Sequence, residues 1–132
     1  MTQHTLTIGK LARAAGVNIE SVRYYQRVGL ITEPVKPVTG YRLYPDDAID
    51  RILFIKRAQL LGFSLKEINE LLELGSTHCV DIRQKAELKR DDINIKINEL
   101  STLRDTLDEL ITCCKHEHDP SHCAIVETLS GK

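Results

Sequence analysis

From Val80 to Thr112 the chain contains neither proline nor glycine. Over that span Ala86, Ile93, Leu100 and Leu107 recur every seven residues. Leu103 and Leu110 follow two of them at a spacing of three, and Ile97 and Ile111 widen the stripe. Such a pattern makes one long amphipathic helix with a coiled-coil seam. Its other face carries Lys89, Arg90, Asp91, Asp92 and Asp105. A helix of this length presents an apolar stripe that the rest of a 132-residue chain is too small to cover. The stripe therefore calls for a second copy, and an antiparallel homodimer through residues 80–112 is the expected solution.

The segments before this helix are short and heavily punctuated. Thr7 is placed to cap a helix bearing Ile8, Leu11 and Ala12 on one face. Gly16 supplies a turn, and Asn18 can cap a second helix from Ile19 to Arg27 that stops near Gly29. Two short helices joined through a glycine turn form a helix-turn-helix. Between Leu30 and Tyr44, Pro34, Pro37 and Gly40 exclude a helix. Thr39-Gly40 reads as a turn and Tyr41 to Tyr44 as a short strand, the pair making a β-hairpin or wing. Asp46 or Asp47 opens a further helix to about Leu61, broken by Gly62. Ser64-Leu65-Lys66-Glu67 has the spacing of a capping box for a helix ending near Leu74-Gly75. The expected fold is mainly α: a winged helix-turn-helix over residues 6–75, a dimerisation helix over 80–112, and a terminal segment, 113–132, with a short apolar turn at Ile125, Val126 and Leu129.

Charge is distributed unevenly. Residues 1–57 carry nine Lys/Arg and five Asp/Glu, a net of +4, and residues 58–132 carry nine and fourteen, a net of −5. The basic excess lies where a helix-turn-helix would neutralise phosphate. Arg23 and Tyr24 fall on the presumed recognition helix, and Tyr41 and Arg42 on the wing. Arginine binds phosphate or a guanine edge, and tyrosine donates to phosphate. Tyr25 and Tyr44 are assigned to packing, and Lys56 and Arg57 to phosphate or solvent.

The terminal segment is the chemical outlier. Residues 113–123 hold three cysteines and three histidines, and the fourth cysteine is Cys79. Thiolate and imidazole are the ligands of soft and borderline metal ions. With no basic-then-apolar leader at Met1 to His4 and no run of about 20 apolar residues, the expected compartment is the cytoplasm, where cysteines are reduced. About 33 helical residues separate Cys79 from Cys113, roughly 50 Å along a helix. One chain cannot close a site across that distance. In an antiparallel dimer, Cys79 of one protomer would meet Cys113, Cys114, His118 and Cys123 of the other. A thiol-redox sensor and a metal-buffering protein are the competing readings. An enzyme is disfavoured, for there is no nucleophile–base–orienter set and no glycine-rich phosphate loop.

Together these residues resemble the MerR family of metal-responsive transcriptional regulators. The resemblance runs from about Leu6 to Leu129. It is carried by Ile8-Gly9-Lys10-Leu11-Ala12, Val22-Arg23-Tyr24-Tyr25, Gly29-Leu30-Ile31, Gly40-Tyr41-Arg42-Leu43-Tyr44 and Leu61-Gly62-Phe63-Ser64-Leu65. Within the family the cysteine segment is most similar to the zinc-responsive ZntR type. That resemblance implies Zn(II) held by Cys79, Cys114 and Cys123, with Cys113 and His118 binding a second zinc in the same site. Mercury sensors of the family use three cysteines matching Cys79, Cys114 and Cys123. Cd(II), Pb(II) and Hg(II) are thus the alternative ions. The resemblance further implies a homodimer on promoter DNA that, with metal bound, distorts the duplex so that RNA polymerase can use a resistance or efflux promoter.

Overall fold

The computed structural model describes residues 4–116 and 122–131. The chain divides into two compact units, Met1–Gln84 and Lys85–Lys132. Among the described residues no helix is long and apolar enough to cross a membrane.

The first unit is built from short elements with local stops. Strand β1 (His4–Leu6) leads into helix α1 (Ile8–Ala15). Thr7 caps α1, its hydroxyl accepting from the Lys10 amide at 3.3 Å. Gly16 ends α1 at φ 70°, a left-handed conformation that glycine alone adopts without penalty. Helix α2 (Ile19–Arg27) starts at Asn18, whose side chain accepts from the Ser21 amide at 2.7 Å. Helix α4 (Leu65–Leu74) carries the anticipated capping box: the Glu67 amide donates to Ser64 Oγ at 3.2 Å, and the Ser64 amide donates to Glu67 Oε1 at 2.8 Å.

Helix α3 (Asp47–Leu60) begins at Asp46, but that side chain makes no cap bond. Its Oδ1 accepts instead from Thr5 Oγ1, 2.9 Å away. Thr5 lies on β1, so the aspartate joins the first strand to the start of α3.

The strand before α3 is present with a different partner from the local hairpin. β2 (Tyr44–Pro45) pairs antiparallel with β1, His4 opposite Pro45 and Leu6 opposite Tyr44. Residues 33–43 contain no strand. Pro34 and Pro37 have no amide proton to give a ladder. The N-terminal segment supplies the missing edge, and Arg42 closes the loop by donating to the Pro34 carbonyl at 3.1 Å.

One core joins these elements. Leu11, Val22, Leu30, Ile52, Ile55 and Ile68 are its largest fully buried side chains. Each contributes about 1.5–3 kcal/mol of transfer free energy. Tyr25 and Tyr44 are buried with them, as their assignment to packing requires. Three polar ties from α3 fasten the helix-turn-helix. Arg51 Nε donates to the Leu30 carbonyl at 2.6 Å, Tyr25 OH donates to Gln59 Oε1 at 3.3 Å, and Lys56 Nζ donates to the carbonyls of Ala15 and Gly16, each at 3.2 Å.

Helix α5 runs from Cys79 to His116, 38 residues, and buries none of them. Its seam residues Leu100, Leu103 and Leu107 are all exposed. It continues four residues beyond Thr112, because nothing before Pro120 opposes helix. Cys113 and Cys114 therefore sit in its final turns rather than in a loop. The apolar turn at Ile125, Val126 and Leu129 is a short helix, α6 (Ala124–Ser130).

Candidate functional site

Three of the four residues assigned to DNA contact meet around one open cleft. Arg23 from α2 and Tyr41 and Arg42 from the loop before β2 line a cavity of about 460 Å³. Its wall also includes Glu20, Arg27 and Glu33, and Tyr44 and Gln26 lie at its base. The helical spacing of Glu20, Arg23 and Arg27 puts them on one face of α2. Tyr24 turns away toward Asn18 and Gln59 and remains exposed. Arg27 lies over its ring, 5.6 Å from the centroid, a cation–π contact. Tyr41 is among the most exposed aromatic side chains, at 82%. An exposed ring beside arginines is of a kind that can meet sugar or phosphate.

The arginines are held in place by acidic neighbours. Arg23 Nη1 donates to Glu20 Oε1 at 2.9 Å. Arg42 Nε, besides its bond to Pro34, lies 3.4 Å from Glu33 Oε1. Tyr44 OH donates to Gln26 Oε1, which fixes α2 against β2 at the base of the cleft. Burial pushes the Tyr44 hydroxyl above its ordinary value, with Glu33 reinforcing the shift and Arg42, Arg23 and the Gln26 hydrogen bond opposing it.

Neither Arg27 nor the two glutamates were singled out from the sequence. The i, i+3, i+7 spacing of Glu20, Arg23 and Arg27 was a usable signal. Lys56 shows the reverse: its ammonium is engaged with the last carbonyls of α1, so it fastens the helix-turn-helix from within.

In the second unit the structure brings two of the predicted ligands together. Cys123 stands at the N-cap of α6 and is hydrogen-bonded to Cys114 near the end of α5. The Cys123 side chain makes no capping hydrogen bond at the start of α6, but the nearby backbone of Val126 and Ile125 draws its thiol below the ordinary range. The Cys114 contact adds to that lowering, whereas burial and Glu127 oppose it. Two thiols brought side by side are a donor pair that fits a soft cation. His122 Nδ1 is 2.6 Å from Glu127 Oε1 and so faces α6. Cys113 is exposed. His118 lies outside the described residues, and the described residues include no cluster of three or more metal-ligating side chains.

Cys79 belongs to the other unit, as the first residue of α5, and is exposed. Its neighbour His78 donates from Nδ1 to the Leu74 carbonyl at 2.6 Å, tying the ring to the end of α4.

Residues 6–74 match the family described as MerR HTH family regulatory protein, and residues 49–110 match a second family, MerR, DNA binding. The chain belongs to the MerR family. A mercuric resistance operon regulatory protein of Serratia marcescens is 43% identical over 128 residues, covering 96% of this chain and 89% of the relative. Among solved structures, the mercury(II) complex of the dual-function regulator MerR from Bacillus megaterium MB1 aligns with TM-score 0.73 and 38% identity, covering 96% of this chain and 99% of that one. The lead(II) complex of a transcription regulator from Ralstonia metallidurans CH34 aligns with TM-score 0.83 and 28% identity, covering 95% and 99%. These MerR structures share the mainly helical winged helix-turn-helix and long helix seen here. The family consists of transcriptional regulators, a non-enzymatic class.

Proposed function

We propose that this chain is a metal-responsive transcriptional regulator whose inducer is Hg(II), bound by the thiolates of Cys79, Cys114 and Cys123. The observation that carries the reading is the placement of Cys123, at the N-cap of α6, beside Cys114 near the end of α5. The third thiolate, Cys79, comes from the partner protomer of an antiparallel dimer formed through the exposed stripe of α5. Three sulfur donors suit a strongly thiophilic ion without any imidazole. The 43% identity to mercuric resistance regulators supports the same ion.

The zinc reading depends on Cys113 and His118, which add borderline-ligand capacity. The relatives favour mercury over zinc, so zinc becomes the second reading, retained for the extra Cys-His donors.

The protein acts at promoter DNA through Arg23, Tyr24, Arg27, Tyr41 and Arg42. Cys79 of one protomer and Cys114 and Cys123 of the other would hold the ion, and its thiolate bonds would join the start of one α5 to the end of the other. The chain's own residues do the rest. Joining those ends would bias the relation of the two protomers on DNA. A duplex gripped at two half-sites is then bent and untwisted, which lets RNA polymerase engage both promoter elements.

The test is in vitro transcription with reduced protein across buffered Hg(II), Pb(II), Cd(II) and Zn(II). Activation at the lowest free Hg(II), lost in Cys79→Ser and Cys114→Ser and kept in His118→Ala, supports the proposal. Activation by zinc that His118→Ala abolishes establishes the zinc reading. A response to none of these ions, with response to peroxide, moves the protein to thiol-redox sensing.

A further inference from the structure

The cleft on the first unit carries its own counter-charges. Of its three arginines, Arg23, Arg27 and Arg42, two are paired with carboxylates, Arg23 with Glu20 and Arg42 with Glu33. Three positive and two negative side chains leave the cleft a net of only +1. The pairs arise on separate elements. Glu20 and Arg23 share a turn of α2, whereas Glu33 and Arg42 lie nine residues apart in the loop before β2.

Neither pair is there to hold the fold. All four side chains are well exposed, from 42% for Arg42 to 72% for Glu20, and exposed ion pairs contribute little to stability. On a surface that meets a polyanion, a carboxylate is adverse. Repulsion of that kind raises discrimination, because only contacts that compensate it survive. Glu20 lies in the first turn of α2, on the same face as Arg23.

We propose that Glu20 and Glu33 are specificity-determining residues of the DNA cleft. They hold the Arg23 and Arg42 guanidiniums away from non-specific phosphate and yield them only to a duplex whose own contacts replace the ion pairs. This rests on the DNA-binding reading above and adds to it a penalty on non-specific duplex.

The test compares wild type with Glu20→Gln, Glu33→Gln and the double variant on two probes. One is a short random-sequence duplex, and the other is the duplex that wild type enriches from a randomised library. Each single variant should tighten binding to the random duplex by about five- to tenfold and steepen its salt dependence by about one phosphate. Affinity for the enriched duplex should change by less than about threefold. Glu20→Asp, which keeps the charge, should restore most of the discrimination. A specificity ratio within about twofold of wild type in all variants overturns the proposal, as does equal weakening on both probes, the mark of a merely structural role. Wild type that binds neither probe removes the DNA-binding reading itself, and the proposal with it.

Discussion

Replacing Lys56 with methionine separates a structural role from a DNA-contacting one. The Lys56 ammonium donates to the Ala15 and Gly16 carbonyls at 3.2 Å each. One of these bonds is part-buried and the other exposed. A charge-assisted hydrogen bond contributes about 1.5–3 kcal/mol when well formed. Two long, partly exposed bonds from one ammonium fall well below that range, so the pair together is worth about 1–1.5 kcal/mol. A cation at a helix C-terminus adds about 0.3–1 kcal/mol. Methionine keeps the apolar stem packed, so the net loss should be about 1.5 kcal/mol. With a urea slope of about 2 kcal/mol per molar, the midpoint should fall by about 0.7 M. Wild type and variant must be compared at one protein concentration, because association through the proposed α5 dimer would add to the apparent stability. The companion measurement is duplex affinity against salt. A residue that neutralises a phosphate contributes about 0.9 to that slope. Lys56→Met should leave the slope unchanged. A slope shallower by about one unit, with an unmoved urea midpoint, would falsify the capping role and return Lys56 to the DNA interface.

Three further outcomes follow from the same geometry. Arg23→Ala should weaken duplex binding by about 1–3 kcal/mol both with and without metal, by fluorescence anisotropy; a loss confined to the metal-bound protein would place Arg23 outside the DNA contact. The raised Tyr44 pKa stabilises the fold fully below pH 10, and that contribution is lost as pH climbs through the folded-state value. The stability of wild type relative to Tyr44→Phe should therefore shrink above about pH 10 in urea titrations, and a difference constant to the highest accessible pH would contradict it. In reduced, metal-free protein, the iodoacetamide reactivity of Cys123 should persist to pH values below the ordinary thiol range, read by peptide mass spectrometry. An inflection at or above that range would show that the backbone of Val126 and Ile125 does not draw the thiol down.

Much of the fold was legible because its instructions are short. Thr7, Asn18 and Ser64 cap their helices with groups three residues away. The heptad stripe and the lack of proline and glycine marked α5, with error only at its end, where the cysteine cluster suggested a loop that no breaker imposes. The ligand-rich segment was equally plain from its composition. Less visible was what each side chain reaches. Lys56 has the appearance of a phosphate ligand until its partners 40 and 41 residues away are known. Asp46 has the appearance of a cap until Thr5 takes its oxygen, 41 residues earlier.

The sequence by itself determined the helices, their stops, the exposed seam that asks for a second copy and the thiol-rich chemistry of residues 113–123. Each follows from interactions within one or two helical turns, or from side-chain type alone. Tertiary structure decided that β2 pairs with β1, that Arg23, Tyr41 and Arg42 share a cleft with Glu20 and Glu33, and that Cys114 meets Cys123. Those meetings join segments whose separation along the chain carries no local signal. The meetings within the first unit are chosen by which packing of the core buries Leu11, Val22, Ile52 and Ile68 together, because burial acts on the whole unit at once.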